Sequence, residues 1–395
     1  MDLCDNKNKG ITLISLVITI IILLILAAVT IGTLTGENGL IARAQEARDK
    51  TEQSSNDELT KIAALEALTH LEDYDYTDKD GKKIKIPKGF AVSSVEGEKS
   101  EAEGLVIVDA KENEFVWIPC ESKDFVRETS WTSYAYNDKT WTDAGDTNIK
   151  EKIKAQEDNN RRSGTTYSTG FYVARYEAGI PEEMIGAYVN TDGGTYAGTG
   201  QKNKKEYIPV SKKGVQAWSC ITQENAEIVA AAMVPGRSQL ISGVAWDTVC
   251  KKIASTKSIT NSRDWGNYYN TPTEKYSKIN TLYAKHDYNN RWTLATTYQK
   301  GLVKDKAPGG SGTTRLELAT GSSDEFKAYN VYDIAGNMWE WTTEKTGPSP
   351  SDDYAVRRGG SFDSHGGDNP ASRSNGDYRI GATSVNVGFR VVLYM

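Results

Sequence analysis

Hydrophobic and polar positions divide this chain abruptly. Residues 1–10, MDLCDNKNKG, are polar; residues 11–34, ITLISLVITIIILLILAAVTIGTL, hold no charge, no proline and one glycine, Gly32. As a helix at ~1.5 Å per residue the run reaches roughly 36 Å, enough to cross a bilayer core of ~30 Å. A backbone in hydrocarbon must satisfy its own hydrogen bonds, so the run predicts one transmembrane helix with the rest of the chain outside the cytosol. Gly36-Glu37-Asn38-Gly39 breaks the pattern. From Leu40 to Leu71 there is no Gly or Pro, and Leu59, Ile62, Leu65, Leu68 and Leu71 recur every third residue. That spacing predicts one apolar face on an amphipathic stalk helix spanning 35–72.

The pattern then changes to short apolar runs between charged turns. Lys83–Ile86 alternates, and 105–108 and 115–118 are continuous apolar runs, so 73–120 reads as strands. Residues 121–165 are polar and read as loop, followed by a strand over 170–177. Residues 223–233 and 244–253 read as short helices. From 260 to 325 Gly, Asn, Thr, Ser and Tyr dominate, which predicts mostly loop. The expected fold class is α+β, with a long N-terminal helix and an irregular, loop-rich head over 73–395.

Composition is that of a folded domain, with 38% apolar and 25% charged residues. A net charge of −6 gives no basic footprint for nucleic acid. Tyr (21) and Trp (9) outnumber Phe (7), a bias that suits half-wet strands and binding surfaces. Beyond Cys4, the cysteines are Cys120, Cys220 and Cys250; one disulfide among them has three pairings and the sequence does not choose. His70, His286 and His365 are too scattered for a metal site.

Lys9-Gly10-Ile11-Thr12-Leu13-Ile14-Ser15 resembles the type IV prepilin junction: a short charged leader, a glycine, then the opening of an apolar helix. The resemblance implies a leader peptide over 1–10, a membrane segment over 11–34, cleavage after Gly10 by a prepilin peptidase and methylation of Ile11. It also implies a helix half in the membrane and half packed on a globular head, and other pilin subunits as partners. Ser15 stands where the family has a glutamate that pairs with a neighbouring subunit's amine, which bears on polymerisation more than on cleavage. The alternatives are a plain signal anchor and a secretory signal, for which this apolar core is too long.

The C-terminal 70 residues carry a second signal. Residues 332–341, YDIAGNMWEW, are followed by 356–362, VRRGGSF, by Ala371-Ser372-Arg373 and by Gly388-Phe389-Arg390-Val391. Alternation puts Trp339 and Trp341 on one face of a strand and Glu340 on the other. Gly359-Gly360 allows positive φ or a close approach. Phe389, Val391 and Leu393 alternate as one closing strand. A buried Glu340 needs a partner, and an arginine such as Arg358 or Arg390 would serve. The order of these motifs resembles the formylglycine-generating-enzyme, or sulfatase-modifying-factor, family, which has a variant C-type-lectin fold. The resemblance spans roughly 115–395; 171–177 is similar to the family's early strand, and Leu240 and Trp246 match its central helix. It implies a calcium site at Asp333, the carbonyls of Gly336 and Met338, and Glu340, with hard oxygens of the kind calcium takes. It also implies a cysteine pair soon after Gly360-Ser361, but no cysteine follows Cys250. Thiolate chemistry needs a thiol, so the family's catalysis is not expected and no catalytic residue is assigned.

Between Asp363 and Asn386 the residues are those of adaptable paratopes. Asp363, Ser364, His365, Asp368, Asn369, Arg373, Asn375, Asp377, Tyr378 and Arg379 are the candidate ligand contacts. From Gly359 to Tyr394 there is no Lys, Glu, Gln, Met or Trp, and every residue there can be written with a codon ending in a pyrimidine. That bias resembles the variable proteins of diversity-generating retroelements. The expected function is a membrane-anchored, pilin-like surface protein whose head binds an external protein or glycan. An extracytoplasmic enzyme of altered chemistry and a structural minor pilin are the alternatives.

Overall fold

Runs such as Phe115-Val116-Trp117-Ile118 lack polar alternation, and the structure, a computed structural model, gives the reason. It describes residues 20–21, 40–135, 141–184, 203–276, 283–286, 292–295, 315–347 and 354–395. The leader 1–10, Gly10, Ile11 and the 11–34 span lie outside the described residues, apart from helical Ile20 and Ile21. Among the described residues no helix is long and apolar enough to cross a membrane.

The chain forms two units, 1–59 and 60–395. Helix α1 (Leu40–Ala67) begins in the first. There Gln45 donates to Asp49 at 2.8 Å and Gln53 to Asp57 at 2.6 Å, each across one helical turn. The second unit holds the end of α1 and all the strands. First come β1 (Tyr74–Thr77), β2 (Lys83–Ile86), β3 (Phe90–Val92), β4 (Val106–Asp109) and β5 (Glu114–Pro119). Strands β6 (Ser133–Ala135) and β7 (Trp141–Asp143) precede α2 (Ala144–Ser163) and β8 (Gly170–Ala174). Helix α3 (Gln223–Met233), β9 (Ser238–Leu240) and α4 (Gly243–Ile253) follow. Strands β10 (Tyr283–His286), β11 (Trp292–Ala295) and β12 (Arg315–Leu318) pair with one another, as do β13 (Lys327–Ala328) and β14 (Val331–Tyr332). The chain closes with β15 (Trp339–Thr346), β16 (Tyr354–Arg358), β17 (Ser374–Arg379), β18 (Val387–Phe389) and β19 (Val391–Leu393).

One six-stranded antiparallel sheet has the order β3-β4-β5-β8-β19-β9. Both faces are buried. Phe115, Trp117, Tyr172, Val391 and Leu393 point into a core with Trp218, Trp339, Trp341 and Phe389. Val116, Ile118, Phe171, Val173 and Val392 point the other way, onto Trp246, Val249 and Ile253 of α4 and Ile149 and Ile153 of α2. A sheet covered on both faces needs apolar residues at every position, which is why β5 and β8 do not alternate. The second sheet runs β18-β15-β16-β17-β6, with β7 also on β15.

Three expectations need correction. The polar stretch 121–165 is not loop throughout: α2 fills twenty residues of it. Its signals are its ends, since Asp143 accepts from Gly145 N–H at 3.0 Å as N-cap and Gly164 closes it at φ 68°. The stalk helix stops at Ala67, and its large apolar residues do not pack on the head. Ala63 and Ala64 meet Val108, while Ile62, Leu65, Leu68 and Leu71 are 53–81% exposed. A strict three-residue spacing drifts by about 60° per step on a 3.6-residue helix, so those five positions never shared one face. The closing strand is two strands: β18 lies in the second sheet and β19 in the first, with Arg390 between them.

Candidate functional site

The turn from Tyr332 to Met338 is built from unusual backbone. Asp333, Gly336 and Asn337 all have positive φ, at 55°, 74° and 55°. A Cβ on Gly336 would stand 2.3 Å from the Asn267 carbonyl oxygen, so only glycine fits. Asn337 ties the turn down: Oδ1 accepts from Leu318 N–H and Asn267 Nδ2, and Nδ2 donates to Glu177. Glu177 also accepts from Met338 N–H at 2.9 Å. The strand that follows turns Glu340 away from the two indoles, as alternation predicts, and brings it to Arg390. Arg390 donates from Nε to Oε2 at 2.9 Å and from Nη2 to Oε1 at 2.6 Å, and both residues are fully buried. It also holds the carbonyls of Ala174 and Tyr332 at 3.0 and 2.9 Å. Thus Arg390 stitches together both sheets and the turn.

This geometry tests the calcium expectation at Asp333, Gly336, Met338 and Glu340. Both Glu340 oxygens accept from Arg390, and Asp333 Oδ2 accepts from Gly321 N–H at 2.7 Å. Only Asp333 Oδ1 is buried without a hydrogen-bond partner. Among the described residues, no three His, Cys, Asp or Glu side chains are placed to hold a metal ion. Both carboxylates are thus already engaged, and a guanidinium supplies the positive charge beside Glu340. Burial, with Glu340 adding to it, pushes Asp333 up to about 7 against the pull of Gly321 N–H and Arg390. Burial likewise raises Glu177 well above its ordinary value, with Asp333 and Glu340 adding to the rise. Arg358, the other arginine considered, is engaged elsewhere: it grips Glu344 with two hydrogen bonds of 2.8 and 2.9 Å and Asp247 with a third of 2.9 Å.

The ten candidate ligand contacts fall into two groups. Asp363, Ser364, His365, Asp368 and Asn369 form a turn pinned by its neighbours and its own backbone. Asp363 accepts from Ser361 at 2.6 Å and from Asn386 at 3.0 Å; the His365 carbonyl accepts from the backbones of Asp368 and Asn369. The His365 ring lies 5.8 Å from that of Tyr269, and its Nδ1 stands 3.3 Å from Asp368. Arg373, Asn375, Asp377, Tyr378 and Arg379 instead lie on or just before β17. There the polar bonding is incomplete. Arg357 on β16, directly opposite Asn375, is stacked between Trp339 and Tyr378, with ring centroids 4.6 and 4.2 Å from its guanidinium. Its Nη2 reaches the Asp377 carboxylate at 3.2–3.3 Å. Arg357 Nε, Arg373 Nε and Asn375 Oδ1 are buried and have no hydrogen-bond partner. Arg379 at the strand's end is exposed.

Trp339 is buried in the core, and Arg357, which is not among the ten candidate contacts, packs on it. The missing signal was the neighbouring strand: pairing of β16 with β17 is a long-range contact that no local pattern announces. Gly359 and Gly360 sit just beyond β16 at φ 90° and 76°, as their composition indicates. A Cβ on Gly360 would meet the Asn369 carbonyl oxygen at 2.3 Å.

The thiols are apart from this face. No disulfide joins Cys120, Cys220 and Cys250, so none of the three pairings is present. Burial pushes the Cys120 thiol up to about 12, with Asp124 adding to it, and Cys250 is raised further by burial and Asp247.

The molecule is thus a mixed α/β protein whose head is built on two six-stranded sheets, with an incompletely bonded strand face near its C-terminus. The chain belongs to the sulfatase-modifying factor enzyme 1-like domain family, whose model matches residues 135–395. Among solved structures it is similar to CarF, at 15% identity and a TM-score of 0.32 over 58% of this chain and 89% of that one. It is also similar to the P3c and U1 variants of the Major Tropism Determinant, each at 12% identity and a TM-score of 0.30 over 82% of this chain and 72% of that one. No curated protein matches the sequence.

Proposed function

We propose that this chain is a displayed binding protein, not a catalyst. A pilin-like N-terminal segment, processed at Gly10, anchors it in the membrane, and a C-type-lectin-like head binds an external protein or glycan through the face of β16 and β17. The observation that carries the reading is the set of buried, unpartnered groups on this face: Arg357 Nε, Arg373 Nε and Asn375 Oδ1. A buried polar group left unpaired costs ~1–3 kcal/mol, and a ligand that pairs it recovers that cost. The Trp339–Arg357–Tyr378 stack supports the reading too, because rigid aromatics and arginine dominate binding hot spots. The turn 363–369, with its own bonds already made, frames the face rather than reading the ligand. Non-catalysis rests on the raised thiols and on the absence of a cysteine after Cys250.

The test is an array of surface glycans and proteins probed with the full chain and with Arg373→Ala/Asn375→Ala/Asp377→Ala. Loss or exchange of the array hits, with an unchanged melting temperature, is expected. Identical hits from both proteins would remove β17 from the function. Turnover of a cysteine-containing sulfatase peptide by the wild-type chain would defeat the binding-only reading.

A further inference from the structure

A second site lies outside these strands. The outer side of α2 and the loop after it enclose an open cavity of about 660 Å³ that Lys85 of β2 also lines. None of its lining residues belongs to β15–β17 or to 363–386. Lys152, Gln156, Asn159 and Ser163 follow one another at helical spacing, so one face of α2 makes a wall. That wall is fixed. Gln156 donates to the Gly170 carbonyl at 2.8 Å and accepts from the Gly170 N–H at 3.0 Å. Asn160 Nδ2 donates to the Tyr167 carbonyl at 2.7 Å, tying down the opposite rim.

Basic side chains outnumber acidic ones in the cavity. Lys85, Lys152 and Arg162 line it together with the acidic side chain of Asp73, and Met395 lines it too. Asp73 is already paired with Arg237 at 2.9 Å, and Lys85 with Asp75. Lys152 rests 5.4 Å from the Tyr394 ring, and Arg162 gives one hydrogen bond, of 2.6 Å, to Asn159. Among the described residues neither cation is given a carboxylate. At the end of α2, Asn160 O accepts from Gly164 and Thr165, and Asn159 O from Ser163. A carboxylate or phosphate would meet Lys152 and Arg162, while the Asn159 amide and the Ser163 and Thr165 hydroxyls suit hydroxyl groups.

We propose that this cavity binds a small polyhydroxylated anion, a hexuronate or a sugar phosphate. The site is separate from the β16–β17 face and stands whether or not that face binds a ligand. The test is ligand-observed NMR with the full chain in detergent, titrating glucuronate, glucose 6-phosphate, glucose and inorganic phosphate. At least one charged sugar is expected to bind about tenfold more tightly than glucose and than phosphate. Lys152→Gln/Arg162→Gln, a change to surface side chains, is expected to weaken that sugar about tenfold with the melting temperature unchanged. Whichever charged sugar wins distinguishes carboxylate from phosphate as the anchor. Equal binding of glucose and the charged sugars, equal binding of phosphate alone, an unchanged affinity in the double variant, or no binding by any of the four would each overturn the site.

Discussion

At the residue scale, Arg390 decides more than any other side chain. It is a fully buried cation that meets Glu340 and two carbonyls from different strands. Breaking a buried pair by removing one partner leaves an uncompensated charge and costs ~3–5 kcal/mol. Glu340→Ala should therefore lower stability by about that amount, read from chemical denaturation of the full chain; a loss under about 1 kcal/mol would mean the pair is not the anchor described. The same pairing predicts indifference to calcium. A metal bound only by the native state would raise the melting temperature. Equal melting curves in millimolar calcium and in chelator are expected, and an upward shift abolished by Asp333→Ala would restore the metal site. Motif reading identified Glu340 as needing a partner and left arginine and calcium open. The choice between them was not legible, because it depends on the sheet crossing at Arg390 that places its guanidinium beside the carboxylate.

At the element scale, the acids at the start of α2 cap a different helix. Asp143 Oδ2 accepts from Gly243 N–H at 2.7 Å and Asp146 Oδ1 from Val244 N–H at 3.0 Å, both at the N-terminus of α4. Anions there meet the positive end of the helix dipole. Burial, with Asp143 beside it, nonetheless pushes Asp146 up to about 8. Its folded value stands above its unfolded one near 3.8, so the stability it contributes is full below about pH 4 and is lost as pH rises toward 8. Asp146→Asn keeps the accepting oxygen and removes the ionisation. The variant should lose less melting temperature between pH 5 and pH 8 than the wild type, and parallel profiles would refute the assignment. Helix α2 also shows where local pattern fails. Its composition is polar throughout, and only Ile149 and Ile153 commit it to the core. Helices α3 and α4 were legible because apolar periodicity and a Thr222 or Ser242 cap coincide. Strands β5 and β8 were legible as apolar runs, but their pairing, which sets both cores, was not.

At the scale of the whole molecule, the account joins an anchor to a binding head. If Gly10 is the processing site, the mature chain begins at a methylated Ile11, and Gly10→Val blocks maturation. Intact-mass measurement of membrane-extracted protein reads this directly, and a mature chain still beginning at Met1 would reduce the segment to a signal anchor. Of the ten candidate contacts, five fall on or just before β17, the strand of the proposed face. Arg357 was not among them, because pairing of β16 with β17 and stacking on Trp339 bring it there. The most direct test of the central claim is amide hydrogen exchange of the full chain with and without a ligand retained on the array. Protection is expected to concentrate in 354–358 and 373–379, with the α2 cavity unaffected. Protection confined to other elements, with 373–379 exchanging at its free rate, would contradict the account.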